Sequence, residues 1–110
     1  MNNESFRVFA DINLPHRFRA GFQIGFTDCV VSVIWGNGMY CDSRFAPIEN
    51  HYDVESGITW GNTAEVAVKT HNDSFLSGWP HSNPHDDVSG WLTPDQVAEV
   101  IAWAKDYRNP

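Results

Sequence analysis

The strongest constraint on the fold is the signature of one capped helix near the end of the chain. Thr93-Pro94-Asp95-Gln96 sets a threonine N-cap before a proline at the first helical position, with a glutamine three residues after the cap. Asp95 also places a negative charge at the positive end of the helix dipole. The pattern predicts a helix to about Tyr107 with one apolar face, formed by Val97, Val100, Ile101 and Ala104.

The segments before this helix have the patterns of strands. Residues 30–35 are apolar on both faces except at Ser32, as in a central strand. Residues 64–70 alternate with a period of two. Residues 6–12 and 22–26 are weaker strand candidates.

Turn residues suggest how these strands connect. Asn37-Gly38 directly follows the central strand and predicts a hairpin that returns through residues 39–41. Asn72-Asp73-Ser74 predicts a second turn, after which Phe75-Leu76 begins a partner strand. Residues 42–61 have no periodicity and are predicted to form a long loop, which is uncommon in a compact domain unless the loop has a role.

These elements predict one α+β domain spanning residues 1–110. An antiparallel sheet of about four or five strands should carry the C-terminal α-helix packed on one face. No strand–helix–strand alternation is present, so a parallel α/β fold is excluded.

The net charge indicates which kinds of binding partner are favoured. Seven Lys and Arg stand against 14 Asp and Glu, a net charge of −7. An acidic surface repels phosphates, which disfavours direct binding to nucleic acid or to an anionic membrane. It can instead dock on a basic surface of another protein, including one that normally holds nucleic acid. The same charge also serves solubility alone.

The cysteines and the first residues indicate the cellular compartment in which the protein is expected. Residues 1–5 lack a basic segment followed by an apolar stretch, so we expect no secretory signal and a cytoplasmic location. Cys29 lies in an apolar run and should be buried and inert, whereas Cys41 is expected to be the more exposed thiol.

Catalytic motifs are missing from the sequence. It has no nucleophile elbow and no phosphate-binding loop. Glu49, Asp53 and Glu55 could serve as acid and base, but three acids in a loop of about 20 residues are close to what chance gives. We therefore expect no enzyme activity and no cofactor. The alternative is a metal-binding module or metal-dependent enzyme built from His71, His81, His85 and Asp86 or Asp87, although Pro80 and Pro84 prevent a helix from aligning the histidines.

The sequence contains five tryptophans, and each is expected either in the core or at a binding surface. Trp35, Trp91 and Trp103 fit core packing. Trp60 and Trp79 lie beside glycines in segments without a full apolar pattern, where a tryptophan is either core or an interface anchor.

Three stretches of the chain together resemble a known class of proteins. Residues 31–42 (VSVIWGNGMYCD), residues 64–68 and residues 87–97 together are similar to small accessory proteins of bacteriophages and prophages. The resemblance implies a protein made in the cytoplasm of an infected bacterium. Such proteins include inhibitors of host defence, among them anti-CRISPR proteins that block a CRISPR-Cas effector.

The sequence thus predicts a small acidic protein that binds and inhibits a host protein with a basic surface. A structural phage protein or a homo-oligomer is a further alternative, and it would show a large apolar patch. The predicted partner-binding residues are Asp42, Glu49, Asp53, Glu55, Trp60, Trp79, Asp86 and Asp87.

Overall fold

A computed structural model describes residues 3–110 and has a five-stranded sheet with one helix packed on it. Every neighbouring pair of strands is antiparallel, and the strands follow one another across the sheet in chain order. The predicted α+β class is confirmed. The elements are β1 (Ser5–Asn13), β2 (Arg17–Gly25), β3 (Val30–Gly36), a short 3-10 helix (Ile48–Asn50), β4 (Ala64–Lys69), β5 (Ser89–Leu92) and α1 (Pro94–Asp106).

Helix α1 begins with the predicted capping box. Gln96 N donates to Thr93 Oγ1 at 3.3 Å, and Thr93 N donates to Gln96 Oε1 at 2.9 Å, so two of the free amide groups at the helix start are satisfied. Val97, Val100 and Ala104 are buried. The same helix face therefore supplies the core predicted from its spacing. No helix within residues 3–110 combines the length and apolar character needed to cross a membrane.

The strand register divides the sheet into two faces. Val8 pairs with Phe22, and Phe22 pairs with Val33, so these three side chains share the face that α1 covers. The helix packs mainly against β3 and β5. Phe6 and Val8 consequently remain 86% and 89% exposed at the far edge of that face.

The predicted hairpin at Asn37-Gly38 is wrong. Strand β3 pairs with β2 on one side and β4 on the other, so neither edge is free for a returning strand. Asn37 instead bonds to Phe18 in β2 and to the carbonyl groups of Ser43 and Ala46. Residues 39–41 belong to no strand.

The predicted partner strand at Phe75-Leu76 is only a bridge. Phe75 pairs with Lys69, and Leu76 N donates to Val68 O at 2.9 Å. The strand that pairs with β4 on the edge away from β3 is β5. The sequence of β5 has no strand pattern strong enough to predict it.

Trp91 is 54% exposed, so its predicted core position is wrong. Ala64 pairs with Leu92, and Val66 pairs with Ser89, which leaves Gly90 and Trp91 opposite one residue of β4. This bulge turns Trp91 out of the core, with a φ of 57°. Cys41 was expected to be the exposed thiol, but it is buried.

Candidate functional site

Backbone hydrogen bonds shape the loop that showed no periodicity in the sequence. Trp60 N donates to His51 O at 3.0 Å, and Asp53 N donates to Ile58 O at 2.8 Å. The chain therefore doubles back on itself between residues 51 and 60. Gly57 takes a φ of 71° in the turn, a conformation that glycine adopts without strain.

Two contacts attach this doubled-back segment to the sheet. The Tyr52 ring stacks on Phe18 of β2 with 6.0 Å between ring centroids, and Phe18 is fully buried. On the other side, Trp35 Nε1 donates to Thr59 Oγ1 at 2.8 Å. Both attachments use strand residues that are distant in sequence, which is why periodicity did not detect them.

An acidic groove of about 600 Å³ lies along the segment. Three of the acids predicted to bind a partner line it together with Trp60, and no Lys, Arg or His is among its lining residues. The residues that line this acidic groove are Glu49, Tyr52, Asp53, Val54, Glu55, Ser56, Ile58 and Trp60.

The three carboxylates of the groove differ in whether they already accept hydrogen bonds. Asp53 accepts hydrogen bonds from Ser56 Oγ at 2.7 Å and from Glu55 N at 3.3 Å, so it also holds the turn together. The carboxylates of Glu49 and Glu55 are exposed and have no hydrogen bond or ion pair within residues 3–110. These two groups are the ones that a cation can approach.

An apolar cavity of about 350 Å³ adjoins the acidic groove through Trp60. Trp60 is 45% exposed and lines both spaces. The cavity lies between the helix face of the sheet and α1. Its walls include Phe22, Val33, Trp35, Leu92, Val97 and Ile101.

Asp42 lies outside the groove and holds the loop to the start of β4. Its Oδ2 accepts from Asn62 N at 2.9 Å, and its Oδ1 accepts from Thr63 N at 3.1 Å and Thr63 Oγ1 at 3.2 Å. Burial alone would raise the pKa of Asp42, but these hydrogen bonds and the nearby His51 lower it below the ordinary value of 3.8.

Asp42→Asn should therefore destabilise the protein at neutral pH but not in acid. A lowered pKa contributes stability that is present above the unfolded-state value and is lost as pH falls through the folded-state value. We expect the difference in unfolding free energy between wild type and variant to be largest above about pH 5 and to close below pH 3.8. Urea unfolding measured from pH 7 to pH 3 tests this, and a difference that stays constant with pH would contradict it.

Asp86 and Asp87 belong to a different groove. They line it with His85, and it shares no residue with the acidic groove. Trp79 lies at its base but is buried, and its Nε1 donates to Leu76 O at 3.0 Å. Of the two uses predicted for Trp79, the structure therefore supports core packing and not an exposed interface anchor.

The predicted metal ligands are not brought together. His71 Nε2 lies 2.7 Å from Phe26 O, whereas His81 Nε2 lies 2.9 Å from Glu99 Oε2 on α1. His85 lines the groove of Asp86 and Asp87 without either of the other histidines. Within residues 3–110, no three His, Cys, Asp or Glu side chains form a group suited to a metal ion.

Neither cysteine is arranged as a nucleophile. Burial, assisted by the charge of Asp28, raises the pKa of Cys29 to about 11, and its thiol donates to Ala104 O at 3.4 Å. Cys41 Sγ contacts Ser43 Oγ at 3.3 Å in the interior. The Cys29 thiol therefore stays protonated near neutral pH.

The structure has an exposed aromatic cluster that the sequence patterns did not predict. The Arg44 guanidinium lies 4.4 Å from the Tyr40 ring centre and 5.2 Å from that of Phe45. Tyr40 also contacts Trp91, with 5.7 Å between centroids. The bulge in β5 creates this cluster, and the sequence had no signal for that bulge.

Comparisons with protein-family models, with curated proteins and with solved structures find no match to this chain.

Proposed function

We propose that this chain is a non-catalytic binding protein that docks on a basic surface of another protein through the acidic groove. One observation carries the proposal. Of the eight residues that the sequence predicts to bind a partner, four line one groove: Glu49, Asp53, Glu55 and Trp60.

The groove suits a segment that carries both cationic and apolar side chains. Glu49 and Glu55 offer free carboxylates to Lys or Arg, and such charge pairs accelerate association and fix orientation. Trp60, with exposed Val54 and Ile58, offers apolar area beside those charges. Tryptophan is enriched among residues that dominate binding energy because it buries a large surface with few rotatable bonds.

The partner we propose is a nucleic-acid-binding protein of a bacterial host. Its phosphate-binding surface is basic, and a cluster of carboxylates competes for the same Lys and Arg side chains. Binding would then inhibit the partner by covering that surface. The resemblance to phage accessory proteins adds the context of host defence, with a CRISPR-Cas effector as one form of the target.

The test begins with capture of partners from a bacterial lysate at low and high salt, identified by mass spectrometry. Affinity for the purified partner is then measured for wild type and for the double variant Glu49→Lys/Glu55→Lys. These side chains support no other part of the fold within residues 3–110, so the variant should fold normally. We expect the Kd to rise at least about tenfold, and more at low salt.

The matched control is Asp95→Lys/Asp106→Lys, which changes the net charge by the same amount at exposed positions of α1 away from the acidic groove. It should leave the Kd within about threefold of wild type. Equal losses in both variants would show that net charge, and not the groove, governs binding. Wild type should also displace nucleic acid from the partner, and failure to do so would overturn the inhibitory role.

A further inference from the structure

Strand β1 is an exposed edge of the sheet. It pairs with β2 over nine consecutive residues, from Ser5 opposite Gly25 to Asn13 opposite Arg17, without a bulge. No strand within residues 3–110 pairs with its other side. Proteins protect such edges with proline, lysine, bulges or covering loops, because an open edge templates pairing with another chain. Strand β1 contains neither proline nor lysine.

The hydrogen bonds of β2 show which backbone groups of β1 face outward. Phe18 donates its N–H to Asn37 Oδ1 and accepts from Asn37 N, so its polar groups point away from β1. In an antiparallel ladder this direction alternates, so the odd residues of β2 face β1. Their partners are the odd residues of β1. The N–H and C=O groups of Phe6, Val8, Ala10 and Ile12 therefore point outward from the sheet.

We propose that two copies of this chain join through β1, edge to edge and antiparallel, with Phe9 of each copy opposite Phe9 of the other. This register places Arg7 of each copy opposite Asp11 of the second copy, which gives two opposite-charge pairs by symmetry. Asp11 is 45% exposed and has only a 3.9 Å contact with Arg17, so it has room for a second cation.

The same register also pairs the outward backbone groups. Phe6 meets Ile12 of the second copy, and Val8 meets Ala10, so each open N–H and C=O along these four residues gains a partner. Sliding the strands by two residues in either direction keeps the ladder but removes the Arg7–Asp11 pairs. Charge therefore selects one register.

The proposed dimer is closed by its symmetry, and the apolar faces of the two sheets lie on the same side. The two-fold axis between antiparallel neighbours runs perpendicular to the sheet, so both helices lie on the same side. Phe6 and Val8, exposed in the single chain, each gain an apolar neighbour across the new strand pair. The dimer surface shares no residue with the acidic groove, so its test is independent of the proposed partner binding.

The mass in solution is the first test. Sedimentation velocity of the full chain between about 1 and 200 μM should show a species at twice the 12.4 kDa chain mass. Val8→Pro removes one outward N–H and leaves the β1–β2 ladder intact, so it should fold yet sediment at 12.4 kDa. A wild type that stays at 12.4 kDa over this range, or a folded Val8→Pro that remains dimeric, would overturn the proposal.

Charge reversal tests the pairing without a proline. Arg7→Asp puts two carboxylates opposite each other at both ends of the interface and should raise the dimer Kd at least about tenfold. Lys105→Asp makes the same charge change on α1 and should leave the Kd unchanged. If Val8→Pro fails to fold, Arg7→Asp decides the question, and an unchanged Kd for it contradicts the register.

A cysteine at the symmetry axis tests the register directly. The native cysteines are both buried, so cross-linking should report only the introduced thiol. Phe9→Cys faces itself across the axis at a distance that a disulfide spans, and mild oxidation should give a covalent dimer. Arg7→Cys faces Asp11 of the second copy and should stay uncross-linked. Equal cross-linking at both positions would exclude a fixed register.

Discussion

Replacing Phe18 with alanine should lower the free energy of unfolding by about 3–5 kcal/mol. Its side chain is fully buried in β2 and stacks on Tyr52, with 6.0 Å between centroids. The variant therefore loses the transfer free energy of a phenyl ring and leaves a cavity beneath the acidic groove. Because Tyr52 loses its support, we also expect weaker partner binding under conditions where the variant is folded.

Urea unfolding followed by circular dichroism measures this change at one fixed chain concentration, since association through β1 would make stability depend on concentration. Phe45→Ala is the control. It makes the same chemical change at a side chain that is 88% exposed, and it should cost less than about 1 kcal/mol. A loss of similar size in both variants would mean that Phe18 is not a core residue.

Gly36→Ala should destabilise the protein by about 3 kcal/mol or more, from strain and overpacking together. Gly36 has a φ of 123°, which side-chain-bearing residues rarely adopt. A Cβ there would also lie 2.4 Å from Phe18 O and 2.8 Å from Arg19 Cα. Both obstacles are backbone atoms of β2, so the β2–β3 ladder has to move.

Gly57→Ala separates the two contributions to this loss. Gly57 has a φ of 71° but nothing within 4 Å of an added Cβ, so only conformational strain of about 1–2 kcal/mol applies. Urea unfolding of both variants should give the larger loss at Gly36. If Gly57→Ala costs as much as Gly36→Ala, the close approach of β2 to Gly36 is not a source of destabilisation.

Phe18 and Gly36 also explain why the Asn37-Gly38 hairpin failed to form. Asn-Gly favours a tight turn when the strand before it has a free edge. Here both edges of β3 are occupied, and Asn37 bonds to Phe18 on the neighbouring strand. The local preference for a turn was met, but the choice of partner strand depended on residues far along the chain.

Local sequence is enough to predict α1, because helix capping and helical spacing act over four residues. Thr93, Gln96 and the buried stripe of Val97, Val100 and Ala104 are all as predicted. It also determined β3 and β4, whose apolar patterns are long enough to be read locally. For the acidic groove, the sequence identified Glu49, Asp53, Glu55 and Trp60 by residue type alone.

That these four residues share one groove follows from long-range contacts and not from local sequence. Their loop is held by Tyr52 on Phe18 and by Thr59 on Trp35, contacts that no local pattern encodes. The structure also separated Asp86 and Asp87 from the groove, buried Trp79 and exposed Trp91 at a bulge. Local patterns record interactions between residues a few positions apart, whereas these positions depend on which distant segments the sheet brings together.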